Sequence, residues 1–156
     1  MWLKMPELPE VETVMRGLSP HLLNQRITSV ELRRAGLRYP FPSDMLEKLE
    51  GRKIEDLSRR AKYLLIQLQD DLTWLCHLGM SGRFTIYEDG INNSENGKHD
   101  HVMFSLESGC DVVYTDHRRF GIMDLLKTSD LHRHKLLAHL GPEPLIEEFT
   151  GEVLYD

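Results

Sequence analysis

The sequence predicts an α+β domain: an antiparallel β-sandwich of short strands, with an N-terminal helix and a second short helix. Three observations carry this expectation. Short apolar segments recur through residues 26–126, each bounded by turn residues at close intervals. Ahead of them, Val11, Val14, Met15 and Leu18 repeat at helical spacing. The chain has 156 residues, 40% of them hydrophobic, which suits one domain with a substantial core.

In chain order, Pro9 suits the first position of a helix, where its missing N–H costs nothing. Glu10 and Glu12 favour the positive end of the helix dipole. Gly17 and Ser19-Pro20 predict a break, followed by a short apolar turn through Leu22 and Leu23. Residues 26–33 read as a strand with Thr28, Val30 and Leu32 on one side. After the rigid turn Pro40 to Pro42, Ser43 or Asp44 caps a short helix and Glu47 completes a capping box with Asp44. Met45, Leu46 and Leu49 form its apolar face, and Gly51 closes it. Residues 53–58 and 62–69 read as strands, Asp70-Asp71 as a hairpin turn, and 72–78 as the return strand. A strand at 83–87 precedes an exposed, mobile loop at 88–98. Strands at 101–106 and 111–115 flank the turn at Glu107 to Gly109, and a last strand runs from Ile122 to Leu126. Beyond Thr128, Leu131, Leu136, Leu137 and Leu140 suggest a helical or irregular exit ending at Gly141 to Pro144. Phe149 to Asp156 reads as the start of a further helix that the chain does not finish.

Composition narrows the function classes. Cys76 and Cys110 lie far apart with no Cys-x-x-Cys and no signal peptide, so a reducing cytoplasm and no zinc site are expected here. No apolar run approaches membrane-spanning length. A formal net charge of −6 argues at first sight against nucleic acid. Its distribution softens that objection, because the acids crowd Glu143 to Asp156 while Arg33-Arg34, Arg59-Arg60, Lys62, Arg83 and Arg118-Arg119 recur upstream.

Several constellations can carry chemistry. If synthesis starts at Met5 and that residue is trimmed, Pro6 becomes a free secondary amine. Such an amine titrates at about 8, so a fraction is neutral near pH 7 and can attack an electrophilic carbon to form an iminium. Glu7 stands beside it, placed to trade protons. The bland reading is an acidic amphipathic helix. Lys62, in Arg59 to Leu64, is either a solvated cation at a turn or a compact charge reaching a phosphate. In His77 to Gly82, two glycines let the backbone turn sharply and present Met80 at a loop tip. Asp116 to Gly121 combines adjacent arginines with Phe120: guanidinium for phosphate or base, ring for stacking, or else an ordinary exposed turn. His99, Asp100 and His101 are metal-capable, but on a strand the two histidines share a face that Asp100 does not, and a metal site is not expected.

Pro6 to Thr13, Arg59 to Leu64, His77 to Gly82, Asp116 to Gly121 and Leu140 to Leu145 together resemble the bacterial formamidopyrimidine-DNA glycosylases, which excise oxidised purines. The related endonuclease VIII group, acting on oxidised pyrimidines, usually has glycine where this chain has Leu8. The resemblance covers essentially residues 5–145. It implies a monomeric, bifunctional repair enzyme acting on damaged double-stranded DNA, with glycosylase and strand-cleaving lyase activities. Pro6 would be the Schiff-base nucleophile, Glu7 the proton donor and acceptor, and Lys62 the support of the nucleotide. His77, His101 and Arg119 would contact DNA, and Met80, Arg118 and Phe120 would fill the hole left by the flipped lesion. Where this chain has His117 the family usually has proline, a difference in loop stiffness. By the same resemblance, residues 1–4 are an extension or a misassigned start, 5–137 the catalytic domain, and 138–156 a linker entering a helix-two-turn-helix domain. The family's one zinc ion belongs to a later four-cysteine finger, so no cofactor is expected in this stretch and the stretch alone is expected to be weak or inactive. A non-catalytic damaged-DNA-binding relative and a hydrolase using His99 and His101 are the competing readings.

Overall fold

The computed structural model describes residues 8–79, 81–90 and 99–133, with side chains described from residue 11 to residue 131 within those spans. Pro6, Glu7, Met80, most of the 88–98 loop and everything beyond residue 133 lie outside the described residues.

Helix α1 (Leu8–Leu22) is followed by β1 (Ile27–Leu32), the short helix α2 (Met45–Leu49), β2 (Ile54–Arg60), β3 (Tyr63–Leu68) and β4 (Leu72–His77). Then come β5 (Arg83–Tyr87), β6 (Asp100–Leu106), β7 (Asp111–Thr115), β8 (Ile122–Lys127) and a 3-10 turn (Thr128–Arg133). The strands form two four-stranded sheets ordered β1-β6-β7-β5 and β2-β3-β4-β8, antiparallel throughout. This is the α+β sandwich that the sequence predicts.

The sheets bury one core between them. Leu64, Ile66 and Leu68 of β3 and Trp74 and Cys76 of β4 meet Val102, Phe104 and Val112 of the other sheet. Trp74, fully buried, and Phe104 pack edge to face across the layers with ring centroids 5.2 Å apart. Leu65 and Leu75 point the other way and join Tyr63, Leu126 and Leu131 in a smaller outer cluster. That second cluster explains why β3 and β4 read as nearly continuous apolar runs rather than alternating ones.

The structure corrects four local expectations. Helix α1 does not break at Gly17 or Ser19-Pro20 but runs on to Leu22. Leu18 and Leu22 are both buried, so tertiary packing offsets the backbone bond that Pro20 cannot make. The Ser19 hydroxyl donates back to the Met15 carbonyl at 2.8 Å within the same turn. Asp44 makes no side-chain cap on α2; its carboxylate instead pairs with Lys48 Nζ at 3.0 Å. Leu46 is exposed, leaving Met45 and Leu49 as the buried face. In β1 a bulge between Ile27 and Ser29 turns Thr28 outward, while Val30 stays inward.

Candidate nucleic-acid interface

Strand register brings three of the sequence-predicted segments to one end of the molecule. Arg60 pairs with Tyr63, Tyr63 with His77, and His77 with Ile122. The β2–β3 turn holding Lys62, the segment after His77, and the turn ending at Gly121 therefore lie side by side.

Helix α1 points its start at the same end. Asn24, beyond its C-terminus, donates to the Ile54 carbonyl at the start of β2. Glu12, one turn into the helix, meets Arg59 at the far end of β2: Arg59 Nε donates to Glu12 Oε1 at 2.9 Å. The helix thus runs against β2 with Leu8 towards the Lys62 turn. The Arg59 side chain is only 3% exposed and also donates to the Ala61 carbonyl at 3.0 Å. Arg59 is therefore a strut between helix and turn rather than a free member of the Arg59-Arg60 basic pair. Its guanidinium, with Arg16 adding to it, holds the Glu12 carboxyl below the usual carboxylate range. Ala61 takes a left-handed φ of 53° in the connection to β3, which presents the neighbouring Lys62 at the tip.

His77 is held in one tautomer. The Gly79 N–H can only donate, and it donates to His77 Nδ1 at 3.0 Å, so the ring hydrogen sits on Nε2. Burial first, then the charges of Lys62 and Arg38, hold the imidazole below its ordinary range. At neutral pH His77 is accordingly an uncharged Nε2–H donor. Its folded value lies below the unfolded one, so its contribution to stability is complete above about pH 6.5 and is lost as pH falls below it. We expect an NMR titration to place the His77 midpoint below that of the same residue in the unfolded chain. A phosphate bound at Nε2 is expected to move it upward.

Gly79 also explains how the loops approach. With φ of 64°, a Cβ there would lie 2.7 Å from the Phe120 carbonyl carbon. The 78–82 and 116–121 segments pack backbone to backbone at this point.

Asp116 ties them together. Fully buried, its Oδ1 accepts from Ser81 Oγ at 2.7 Å and the Arg119 N–H at 3.0 Å. Its Oδ2 accepts from the Tyr114 hydroxyl and the Gly121 N–H, both at 2.9 Å. Burial, with Asp116 adding to it, pushes the Tyr114 hydroxyl up, so Tyr114 remains a donor. The Arg118 N–H donates to Ser81 Oγ at 3.2 Å. The arrangement leaves Arg118, Arg119 and a 47%-exposed Phe120 on the outside of a turn whose inside is fully bonded. Asp116 stood at the head of a motif in the sequence without a role; its signal was an acid beside two arginines in a segment otherwise read as basic.

His101 departs from the expected DNA contact. It is 1% exposed, and its Nε2 donates to the Asp116 carbonyl at 2.7 Å. A side chain in that position supports the turn from behind rather than facing a ligand. His99 instead packs its ring 4.2 Å from that of His117, the residue standing where the resemblance leads one to expect proline. Among the described residues no group of three or more His, Cys, Asp or Glu could hold a metal ion. Nor is any described helix long and apolar enough to cross a membrane.

A two-sheet sandwich that gathers a lysine turn, a tautomer-fixed histidine and an arginine-phenylalanine turn at one end defines a β-sandwich domain with a cationic, aromatic-bearing end. Residues 5–123 match the family model for the formamidopyrimidine-DNA glycosylase N-terminal domain. The chain belongs to the formamidopyrimidine-DNA glycosylase family. It is 50% identical over 154 residues to the formamidopyrimidine-DNA glycosylase of Beijerinckia indica, covering 96% of this chain and 54% of that relative. It is 51% identical over 152 residues to the protein of that name from Pseudomonas syringae pv. tomato, covering 97% and 54%. Among solved structures it is similar to Lactococcus lactis Fpg in complex with DNA containing an abasic site, with TM-score 0.80 and 32% identity, covering 94% of this chain and 53% of that one. The same protein bound to FAPY-dG-containing DNA matches equally, with TM-score 0.80 and 32% identity, covering 94% and 54%. The chain spans about half the length of the curated relatives it matches.

Proposed function

We propose that this chain supplies the nucleophile-bearing half of a base-excision-repair glycosylase that removes oxidised purines from duplex DNA and then cuts the strand. The observation that carries the reading is the convergence of the start of α1, the Lys62 turn, His77 and the Arg118–Phe120 turn at one end of the sandwich. Residues 5–137 act as one catalytic domain, and 138–156 lead towards the helix-two-turn-helix part.

The damaged nucleotide is flipped out of the stack, at a cost of a few kcal/mol that damage reduces. Pro6 nitrogen bonds to C1′ as the base departs with the glycosidic electron pair and the amine proton is lost. The nitrogen lone pair then expels O4′, which takes a proton as the C1′–O4′ bond breaks, and the opened sugar is left as an iminium. The iminium acidifies the C2′ proton, and successive eliminations expel the 3′ and then the 5′ phosphate. Glu7 relays protons at the sugar. Lys62 and His77 hold the flanking phosphate, one as a cation and one as a neutral donor. Phe120, Arg118 and Met80 occupy the vacated stack. The zinc ion of the family has no home in the part described: Cys76 and Cys110 are both buried, and burial pushes the Cys76 thiol up, away from the thiolate a metal needs. No step passes through it.

Excision kinetics test the reading. In a full-length protein carrying this domain, Phe120→Ala or Arg118→Ala is expected to slow release of an oxidised purine from duplex by about tenfold or more, the scale of a few kcal/mol of stabilisation of opened DNA. Cleavage at an abasic site in single-stranded DNA, which has no hole to fill, should change little. Equal losses on both substrates would remove the wedge role, and no excision by the unaltered protein would remove the activity.

A further inference from the structure

Beside the Arg118–Phe120 turn lies a recess of about 440 Å³ lined by Arg33, Arg34, Arg38 and Arg119, with no acidic side chain in its wall. Of these only Arg119 figured among the expected DNA contacts. Glu31 stands 3.8 Å from Arg33 and partly offsets its charge, so the excess rests on the other three.

The recess is built by the backbone rather than by chance proximity of long side chains. Its wall is the loop between β1 and α2, closed on itself by the Phe41 N–H to the Ala35 carbonyl at 2.9 Å and by a bridge between Gly36 and Pro40. A Cβ at Gly36 would fall 2.5 Å from the Pro40 Cα, so this closure leaves no room for a larger residue. Two further bonds fix the loop to the site. The Arg33 N–H donates to the His101 carbonyl at 2.9 Å, and the Arg38 N–H to the Gly121 carbonyl at 3.1 Å. His101 and Gly121 are also partners of Asp116, so the recess and the Arg118–Phe120 turn share one support. Arg38 also lies near enough to Tyr63 and His77 for its charge to act on both. Its guanidinium rests 5.6 Å from the ring centroid of Tyr39, which is 49% exposed.

From this placement we infer that the recess is a second phosphate site, holding a DNA backbone phosphodiester other than the one at Lys62 and His77; the inference rests on the DNA reading above. Forked guanidinium donors match phosphate oxygens in pairs, which a lysine ammonium cannot do. A phosphate contact carries no sequence information, so the site strengthens binding to any duplex and sets register for the wedge.

The test is a salt series, read by fluorescence anisotropy, with a full-length protein carrying this domain and duplex DNA bearing an uncleavable abasic analogue. Each neutralised phosphate contributes about 0.9 to the slope of log affinity against log salt. R34A/R38A is expected to lower that slope by roughly one and to weaken low-salt binding by on the order of tenfold, equally on damaged and undamaged duplex. The control K53A/K127A removes the same charge at the opposite end of the sheet, where Ile54 pairs with Leu68 and Leu72 with Lys127, and should leave the slope in place. R34K/R38K keeps the charge without the fork and should fall between. All four side chains lie at the surface or partly so, and unchanged thermal melts establish that the variants fold. Equal losses from both alanine pairs, or an unchanged slope in R34A/R38A, overturn the recess as a site while leaving the DNA reading intact. Failure of the unaltered full-length protein to bind duplex at any salt overturns both.

Discussion

A full-length protein carrying this domain and beginning at Pro6 is expected to form a borohydride-stable adduct with abasic DNA, and the same protein retaining Met1 to Met5 is expected to form none. With Met5 attached, the Pro6 nitrogen is a tertiary amide. Its lone pair is delocalised into the peptide bond, and it carries no hydrogen to lose on forming an imine. Freed, it is a secondary amine; a terminal amine in a model peptide titrates at about 8, so a neutral fraction exists at pH 7 to attack C1′. The effect is therefore all or none rather than a matter of rate. Electrophoresis of the trapped complex measures its amount, and mass spectrometry of its peptides identifies the residue. An adduct of equal yield from both forms would move the nucleophile elsewhere, with Lys62 the first amine to test. Mass spectrometry of the native protein then decides which form operates: an N-terminus at Pro6 supports catalysis, whereas retained upstream residues favour a damage-binding relative.

The strand plan was legible because turns announce themselves locally. Asp70-Asp71 supplies two consecutive left-handed residues between β3 and β4, and residues 83–87 and 111–115 are strands over the spans their apolar pattern suggests. What the sequence could not show depends on partners distant along the chain. Pro20 reads as a breaker until the burial of Leu18 and Leu22 is known, and Asp44 reads as a cap until Lys48 claims it. Arg59 and Arg60 look alike in sequence, yet the first is spent on Glu12, forty-seven residues away. The three site segments were visible as motifs, whereas their convergence is a matter of register. The fourth basic segment, Arg33 to Arg38, is assigned by the loop closure that makes it a recess.

Asp116 is where stability and site geometry are most tightly joined, and its removal is expected to have the largest effect on folding. Asp116→Ala strands four donors, from Ser81, Tyr114, Arg119 and Gly121, around a buried void. Breaking a buried network of this kind costs on the order of 4 kcal/mol, a large part of the stability of a domain this size. Asp116→Asn is more informative. Either amide orientation points its NH2 at one pair of donors. The Ser81 or Tyr114 hydroxyl in that pair can rotate to accept, but the backbone N–H of Arg119 or Gly121 cannot. One buried N–H is lost whichever way the amide turns, so the asparagine variant should fold with a deficit of about 1–3 kcal/mol in urea unfolding. Both N–H groups belong to the turn that presents Arg118 and Phe120. The folded asparagine variant should therefore lose excision from duplex DNA while keeping abasic-site cleavage in single strands. A variant that loses stability without that split would reduce Asp116 to a packing residue, and one that unfolds like alanine would show that the charge, not the donor count, holds the turn.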